Sequence, residues 1–269
     1  MNDAQMKISI ITINRNNADG LKQTLISVAE QTSTDFEHIV IDGASTDHSV
    51  DVIKLFSHIT YYVSEPDTGV FDAMNKGIKQ AKGEYCLFLN SGDYLVNSTV
   101  IAAILPHLNN EDIIYGNLLK KSLTGEIKNI IYPDEITINR FVLASIPHPA
   151  SFIKTSLLKQ LGLYRADLQI VSDWAFFLEA VFKHGADYKH VPIFVTVFAL
   201  GGMSTNPAFK KIEIEEREKV WTDLFPYTYK ELFRLVERDR ELNKVYQIPG
   251  VHFLMKFVHP LYKKLRYKE

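Results

Sequence analysis

Four short apolar runs alternate with helix-patterned stretches over the first 93 residues, and this alternation limits the fold more than any other feature. Lys7–Ile13, Phe36–Ile41, Ile59–Val63 and Tyr85–Leu89 have strand length and are rich in β-branched or aromatic residues. Between them, Leu21, Leu25, Val28 and Ala29 mark one helix face, and Val50, Ile53, Leu55 and Phe56 a second. Phe71, Met74, Ile78 and Ala81 mark a third, at three- and four-residue spacing. Asp19 is the expected N-cap of the first helix, and Lys82-Gly83 closes the third. Strand–helix–strand alternation implies βαβ units and a mostly parallel sheet. Each run ends in a polar turn: Asn14–Asn17, Asp42–Asp47, Glu65–Gly69 and Asn90–Asp93. Parallel sheets bind ligands at the carboxyl ends of their strands, so these turns are expected to line one crevice.

The pattern then changes. Thr99–Leu108, Ile136–Ala144, Ser156–Leu161 and Trp174–Lys183 read as helices. Ile113–Leu119, Glu126–Tyr132, Phe152-Ile153 and Val191–Leu200 read as strands. From Pro207 onward the chain is mostly charged helix, which places a boundary near 205: a domain over 1–205 and a helical extension over 206–269.

A net charge of −2 argues against a nucleic-acid partner. No apolar run reaches the ~18–20 residues of a membrane span. The opening MNDAQMK lacks signal-peptide character. The single cysteine, Cys86, lies in an apolar run and reads as a small core residue. A cytoplasmic protein is expected. The last stretch, 250–269, mixes aromatic residues with Lys256, Lys263, Lys264, Arg266 and Lys268. It is open to three readings: peripheral contact with an anionic membrane, a packing helix, or an oligomer contact. The oligomeric state is not legible.

Glu65–Asp93, EPDTGVFDAMNKGIKQAKGEYCLFLNSGD, resembles the nucleotide-sugar half of family 2 glycosyltransferases of the bacterial polysaccharide-biosynthesis type. Members carry E-P-D-x-G-x-[FY]-D-A-M-N-K-G-I followed by G-E-Y-x-x-F-L-N-S-G-D. The resemblance extends over roughly residues 7–205. It implies an α/β GT-A fold, Rossmann-like, and inverting transfer of a sugar from a nucleotide-diphosphate donor to a saccharide or lipid-linked saccharide acceptor. The competing reading is a catalytically inactive nucleotide-sugar-binding module. A dehydrogenase or nucleotidyltransferase would usually need a Gly-rich loop after the first strand, where this chain has NRNNADG.

The resemblance also implies site residues, each with a plainer alternative. Thr12, Asn14, Asp42, Asp67, Asn75, Lys76 and Ser91 fall at nucleotide-sugar positions; turn chemistry, or for Lys76 a solvated face, is the alternative. Gly43 departs from the family's D-D-G-S-x-D run by lacking its second acid, and Asp47 reads as a helix cap. Asp93 is the expected ligand of Mg²⁺ or Mn²⁺, although the family's D-x-D turn is thinned here to Asn90-Ser91-Gly92-Asp93. His148 and Trp174 are assigned to the acceptor side, against a loop role and core packing. Asp173 of Ser172-Asp173-Trp174 is assigned as catalytic base, against helix capping. The Gly201–Ser204 loop is expected near the nucleotide, or to serve as a flexible exit into the tail.

Overall fold

A computed structural model describes residues 6–246. The stretch 250–269 therefore lies outside the described residues. The described residues up to Val220 form one compact unit and those from Trp221 onward a second.

In the first unit β1 (Ile8–Asn14), β2 (Phe36–Asp42), β3 (Ile59–Ser64) and β4 (Tyr85–Phe88) run parallel in the order β3-β2-β1-β4. Helices α1 (Ala18–Ala29), α2 (Ser49–Lys54) and α3 (Val70–Gln80) connect them. All seven residues of β1 are buried, as expected for a central parallel strand covered on both faces. Each of its isoleucines contributes roughly 1.5–3 kcal/mol through burial. The N-cap of α1 is Asn17 rather than Asp19: Asn17 Oδ1 accepts from Gly20 N at 3.3 Å, and its Nδ2 donates to the Ser91 carbonyl at 3.0 Å. One amide thus caps a helix and holds the turn after β4.

The rest of the sheet is mixed rather than parallel. It adds β5 (Tyr94–Leu95), β6 (Ile113–Lys121), β7 (Ile127–Ile130), β8 (Ser151–Lys154) and β9 (Tyr188–Ala199). The full order is β3-β2-β1-β4-β8-β6-β9-β5, with β7 on β6. β8 runs antiparallel to both β4 and β6, whereas β6 and β9 are parallel. The two-residue β5, invisible as a sequence run, pairs with the end of β9. Helices α4 (Val100–Ile104), α5 (Ile138–Leu143), α6 (Thr155–Gln160) and α7 (Ser172–Phe182) accompany this half.

Helix α8 (Lys210–Leu224) spans the division between the units, which falls after Val220, later in the chain than 205. In the second unit Trp221 packs on Phe225 and Phe233, and α9 (Tyr229–Tyr246) follows. Among the described residues no helix is long and apolar enough to cross a membrane.

Candidate active site

Asn14, Asp42 and Ser64 are neighbours in strand register at the carboxyl ends of β1, β2 and β3. The Asp42 carboxylate accepts from Ser45 Oγ at 2.6 Å, Ser45 N at 2.9 Å, Ser64 Oγ at 2.6 Å and Asn14 Nδ2 at 2.7 Å. Burial opposes its charge, but these four donors outweigh burial and hold the carboxyl below the usual aspartate range. Asn14 Oδ1 is buried with no hydrogen-bond partner. Asp47 accepts from Ala18 N and Ser49 N, which ties it to the starts of α1 and α2. Thr12 does not reach the crevice. It is fully buried and bonded to His38 Nε2 at 2.9 Å, because it shares a face of β1 with Asn14 but stands two residues short of the strand end.

Asp67 lies in the loop after β3. Its Oδ1 accepts from Gly69 N at 3.1 Å, and its Oδ2 projects into the space above Gly43. Asn75 and Lys76 are both engaged within the fold. Asn75 Nδ2 donates to the Tyr164 carbonyl at 2.8 Å while its Oδ1 accepts from Tyr164 N at 2.9 Å. That two-way clamp takes both ends of a buried amide, so Asn75 fixes the 164 loop instead of facing a diphosphate. Lys76 Nζ bonds Glu65 Oε1 at 2.9 Å and the Pro66 carbonyl at 2.8 Å, closing the 65–67 loop on α3. Its hydrogen bond to Glu65 raises the Lys76 pKa.

The turn after β4 is fastened to α1. Asn17 Nδ2 bonds the Ser91 carbonyl and lies 3.3 Å from Ser91 Oγ, while Thr24 Oγ1 donates to the Asp93 carbonyl at 2.7 Å and accepts from Gly92 N. Gly92 has a φ of 105°, a region that residues with a Cβ rarely adopt, so the backbone itself disfavours an aspartate there. Asp93 is placed otherwise than expected of a metal ligand. Its side chain is 4% exposed, and Oδ1 accepts from Ala199 N at 3.0 Å at the end of β9. Burial pushes its carboxyl up to about 7. A Mg²⁺ ligand needs a charged oxygen free to face the ion. Among the described residues no three His, Cys, Asp or Glu side chains gather where they could hold a metal. As folded, the turn does not fit a resident cation at Asp93.

Asp173 occupies the first turn of α7, yet it does not cap that helix. The N-cap is Val171, and no side chain makes a cap bond. Among the described residues the half-buried Asp173 carboxylate makes no hydrogen bond. Its charge acts on His148, Tyr164 and Arg217. His148 is buried. It bonds the Tyr164 hydroxyl at 2.8 Å and stacks on Phe88, the last residue of β4, with ring centroids 4.9 Å apart. Burial lowers the His148 pKa and keeps the ring neutral. His148 therefore packs between Phe88 of β4 and Phe177 of α7, and is not an exposed acceptor contact. Trp174 is not a wall against sugar either. It is 1% exposed, its Nε1 donates to the Phe141 carbonyl at 2.9 Å, and the Arg217 guanidinium lies over its ring at 4.5 Å.

Two adjacent residues of α8 grip the chain on either side of Asp173. Glu216 accepts from three successive amides, Gln169 N at 2.6 Å, Ile170 N at 2.9 Å and Val171 N at 3.3 Å. Arg217 covers Trp174 while its Nε donates to Glu213 Oε1 at 3.1 Å. Beside this arrangement lies a cavity of about 330 Å³, bordered by Ile170, Met203, Pro207, Phe209, Lys210 and Glu213. Tyr164, Glu216 and Arg217 carry no local sequence signal, since their roles arise from partners about 40 to 90 positions away.

The family description "Glycosyl transferase family 2" matches residues 9–151. An uncharacterised glycosyltransferase of Mycobacterium tuberculosis is 36% identical over 183 residues, 64% of this chain and 68% of the relative. A PGL/p-HBAD biosynthesis glycosyltransferase of Mycobacterium bovis is 28% identical over 204 residues, 73% of this chain and 78% of the relative. Among solved structures, S. aureus TarS 1-349 in complex with UDP-GlcNAc superposes with a TM-score of 0.60 at 22% identity. That match covers 74% of this chain and 60% of TarS 1-349, and at this identity it bears on the fold alone: a GT-A glycosyltransferase architecture.

Proposed function

Because this chain belongs to glycosyl transferase family 2, we propose that it transfers a sugar with inversion from a nucleotide-diphosphate sugar to an acceptor hydroxyl, with Asp173 as base. The setting we propose is synthesis of a cell-surface glycan, on the cytoplasmic side where nucleotide sugars are made. The observation that carries the reading is the Asp173 carboxylate. It stands at a helix start without capping it, part-exposed and free of hydrogen bonds among the described residues, above a buried His148–Tyr164 pair. A carboxylate so placed can accept the proton of an acceptor hydroxyl as that oxygen attacks the anomeric carbon and the nucleoside diphosphate departs. The strand ends at Asn14 and Asp42, with Asp67 of the loop after β3, form the donor side. The cavity beside Ile170 is large enough for a monosaccharide unit of the acceptor, and its lining includes apolar Met203, Pro207 and Phe209 with polar Lys210 and Glu213. The turn after β4 does not offer Asp93 to a divalent cation.

The test is Asp173→Asn, assayed by nucleoside-diphosphate release from a panel of UDP-, GDP- and dTDP-sugars. Turnover is expected to fall by about 10²–10⁴-fold while nucleotide binding is kept. Equal turnover by wild type and variant refutes the role of Asp173. Binding without turnover by the wild type identifies a non-catalytic module.

A further inference from the structure

The hairpin of β6 and β7 is apolar at its tip and basic just behind it. Its turn is firm. Ser122 N donates to the Glu126 carbonyl at 2.8 Å, Gly125 N to the Ser122 carbonyl at 2.9 Å, and Glu126 N to Ser122 Oγ at 3.0 Å. Leu123, in that turn, is nevertheless 83% exposed, and Ile127, the first residue of β7, is 52% exposed. The turn's own hydrogen bonds therefore hold two large apolar side chains in solvent. Strand register sets Lys121 opposite Ile127 and Lys120 opposite Lys128, so three lysines stand one and two residue pairs behind the turn. Glu126 is the one acid between 118 and 131. Like charges directly opposed across two strands destabilise the pair, and neither Lys120 nor Lys128 has an acidic partner among the described residues. The same tip adjoins the cavity. Leu200 N donates to the Lys121 carbonyl at 2.9 Å, and a methyl group built on Gly201 would lie 3.0 Å from Leu123 Cδ2. Two residues further on, Met203 borders the cavity and is itself 39% exposed.

We propose that this hairpin tip docks on an anionic lipid bilayer, with Leu123 and Ile127 entering the boundary between headgroups and acyl chains and Lys120, Lys121 and Lys128 meeting lipid phosphates. Apolar side chains with a collar of cations behind them match a surface that is negative at its face and apolar beneath. Long lysine side chains lay their stems along apolar surface and keep the ammonium at the phosphate level. The anionic face also relieves the repulsion between Lys120 and Lys128. A further strand added to the edge of β7 would instead meet Lys128, the kind of charge that keeps sheet edges apart. Docked in this way, the protein holds its cavity beside the membrane surface, where an acceptor carried on a lipid is presented. That last step rests on the acceptor reading above; the docking itself does not.

The experiment is flotation of the full chain with vesicles of phosphatidylcholine alone and of phosphatidylcholine and phosphatidylglycerol in equal parts. Wild type is expected to float with the mixed vesicles only, and less at high salt. The double variant Lys120→Gln/Lys128→Gln is expected to lower partitioning about fivefold for each lysine. Leu123→Ser/Ile127→Ser is expected to lower it at least about tenfold. Both should keep the wild-type melting temperature, since the side chains are exposed. Leu123→Trp supplies a second readout, because the native Trp174 and Trp221 are buried: its fluorescence should be quenched by bromine-labelled acyl chains. Flotation unchanged in both double variants, or no quenching at 123, overturns the proposal. So does a hairpin variant that alters the oligomeric state and not flotation, which would mark a protein contact. Turnover of a water-soluble acceptor should be equal in wild type and both double variants. Turnover by a wild type that never floats overturns the docking and leaves the transferase reading standing; hairpin-dependent flotation without turnover supports the docking and removes that reading.

Discussion

The burial of Asp93 makes a quantitative prediction for Asp93→Asn. Asparagine keeps an oxygen for Ala199 N and cannot ionise, so the substitution removes the charge while leaving the hydrogen bond. The folded carboxyl titrates near 7, against 3.8 ordinarily. A carboxyl whose folded pKa is raised binds a proton in the folded state at pH values where the unfolded chain has lost it. Its contribution to stability is therefore present in full below about pH 4 and is lost as pH rises through 7. Integrating between the two values, wild type loses about 2–3 kcal/mol between pH 5 and pH 8 from this group alone. Asp93→Asn loses none of it. The variant is therefore expected to gain on wild type by that amount over the interval, about 5–10 °C in melting temperature for a unit of this size. Other titrating groups, His38 among them, are common to both proteins and cancel in the difference. The assay is thermal or urea unfolding of both proteins at half-unit steps from pH 5 to 8.5. A constant difference across the range refutes the buried, proton-holding carboxyl. So does a wild type that 5 mM Mg²⁺ stabilises at pH 8 when the variant shows no such response, because that result would place the ion on Asp93.

Two further outcomes follow from the same geometry. Glu216→Ala leaves the amides of 169–171 without their carboxylate acceptor and is expected to destabilise the protein by about 2–3 kcal/mol; Glu216→Gln should recover part of that in urea melts, and equal stability of all three proteins would refute the clamp. His38 is held down to about 3 by burial, with His58 adding to the effect. The unfolded chain then takes up the extra proton, so His38 removes about 2 kcal/mol of stability as pH falls from 7 to 5. His38→Gln should flatten that acid limb, and an unchanged limb would refute a neutral buried histidine.

The parallel half of the fold was legible because its signals are local. Each of β1 to β4 is a contiguous apolar run, and α3 shows its buried face at helical spacing through Phe71, Met74 and Ile78. The mixed half was less so. β8 is four residues long and β5 two, and their pairing with β4, β6 and β9 depends on partners far along the chain. Site residues divide in the same way. Asp42 could be placed because strand ends follow from strand positions. Thr12, Asn75 and Trp174 could not be, because which way a side chain turns depends on His38, Tyr164 and Phe141, none of them adjacent in sequence. Asp93 carried an acidic-turn signal, but a turn sequence does not say whether its carboxyl faces solvent or β9.

The grip of α8 on the 169–174 segment bears on where the catalytic unit ends. Composition shifts near 205, where charged helix begins, and a boundary there looks natural. Yet Glu216 and Arg217 are charged for the sake of the fold rather than the solvent. One fills a cup of three backbone amides, an arrangement that favours an anion. The other lays a flat cation across Trp174, where a guanidinium interacts well with the aromatic face. Asp173 lies between the two anchored points, and its rotation is limited on both sides without a hydrogen bond to its own carboxylate. The base proposed for this chain needs that combination: a fixed position, and oxygens left open for the substrate proton. A carboxylate that also capped its helix would be equally well fixed, but its oxygens would be taken up by backbone amides. Moving the anchoring duty to Glu216, on a helix beyond the expected boundary, resolves that conflict.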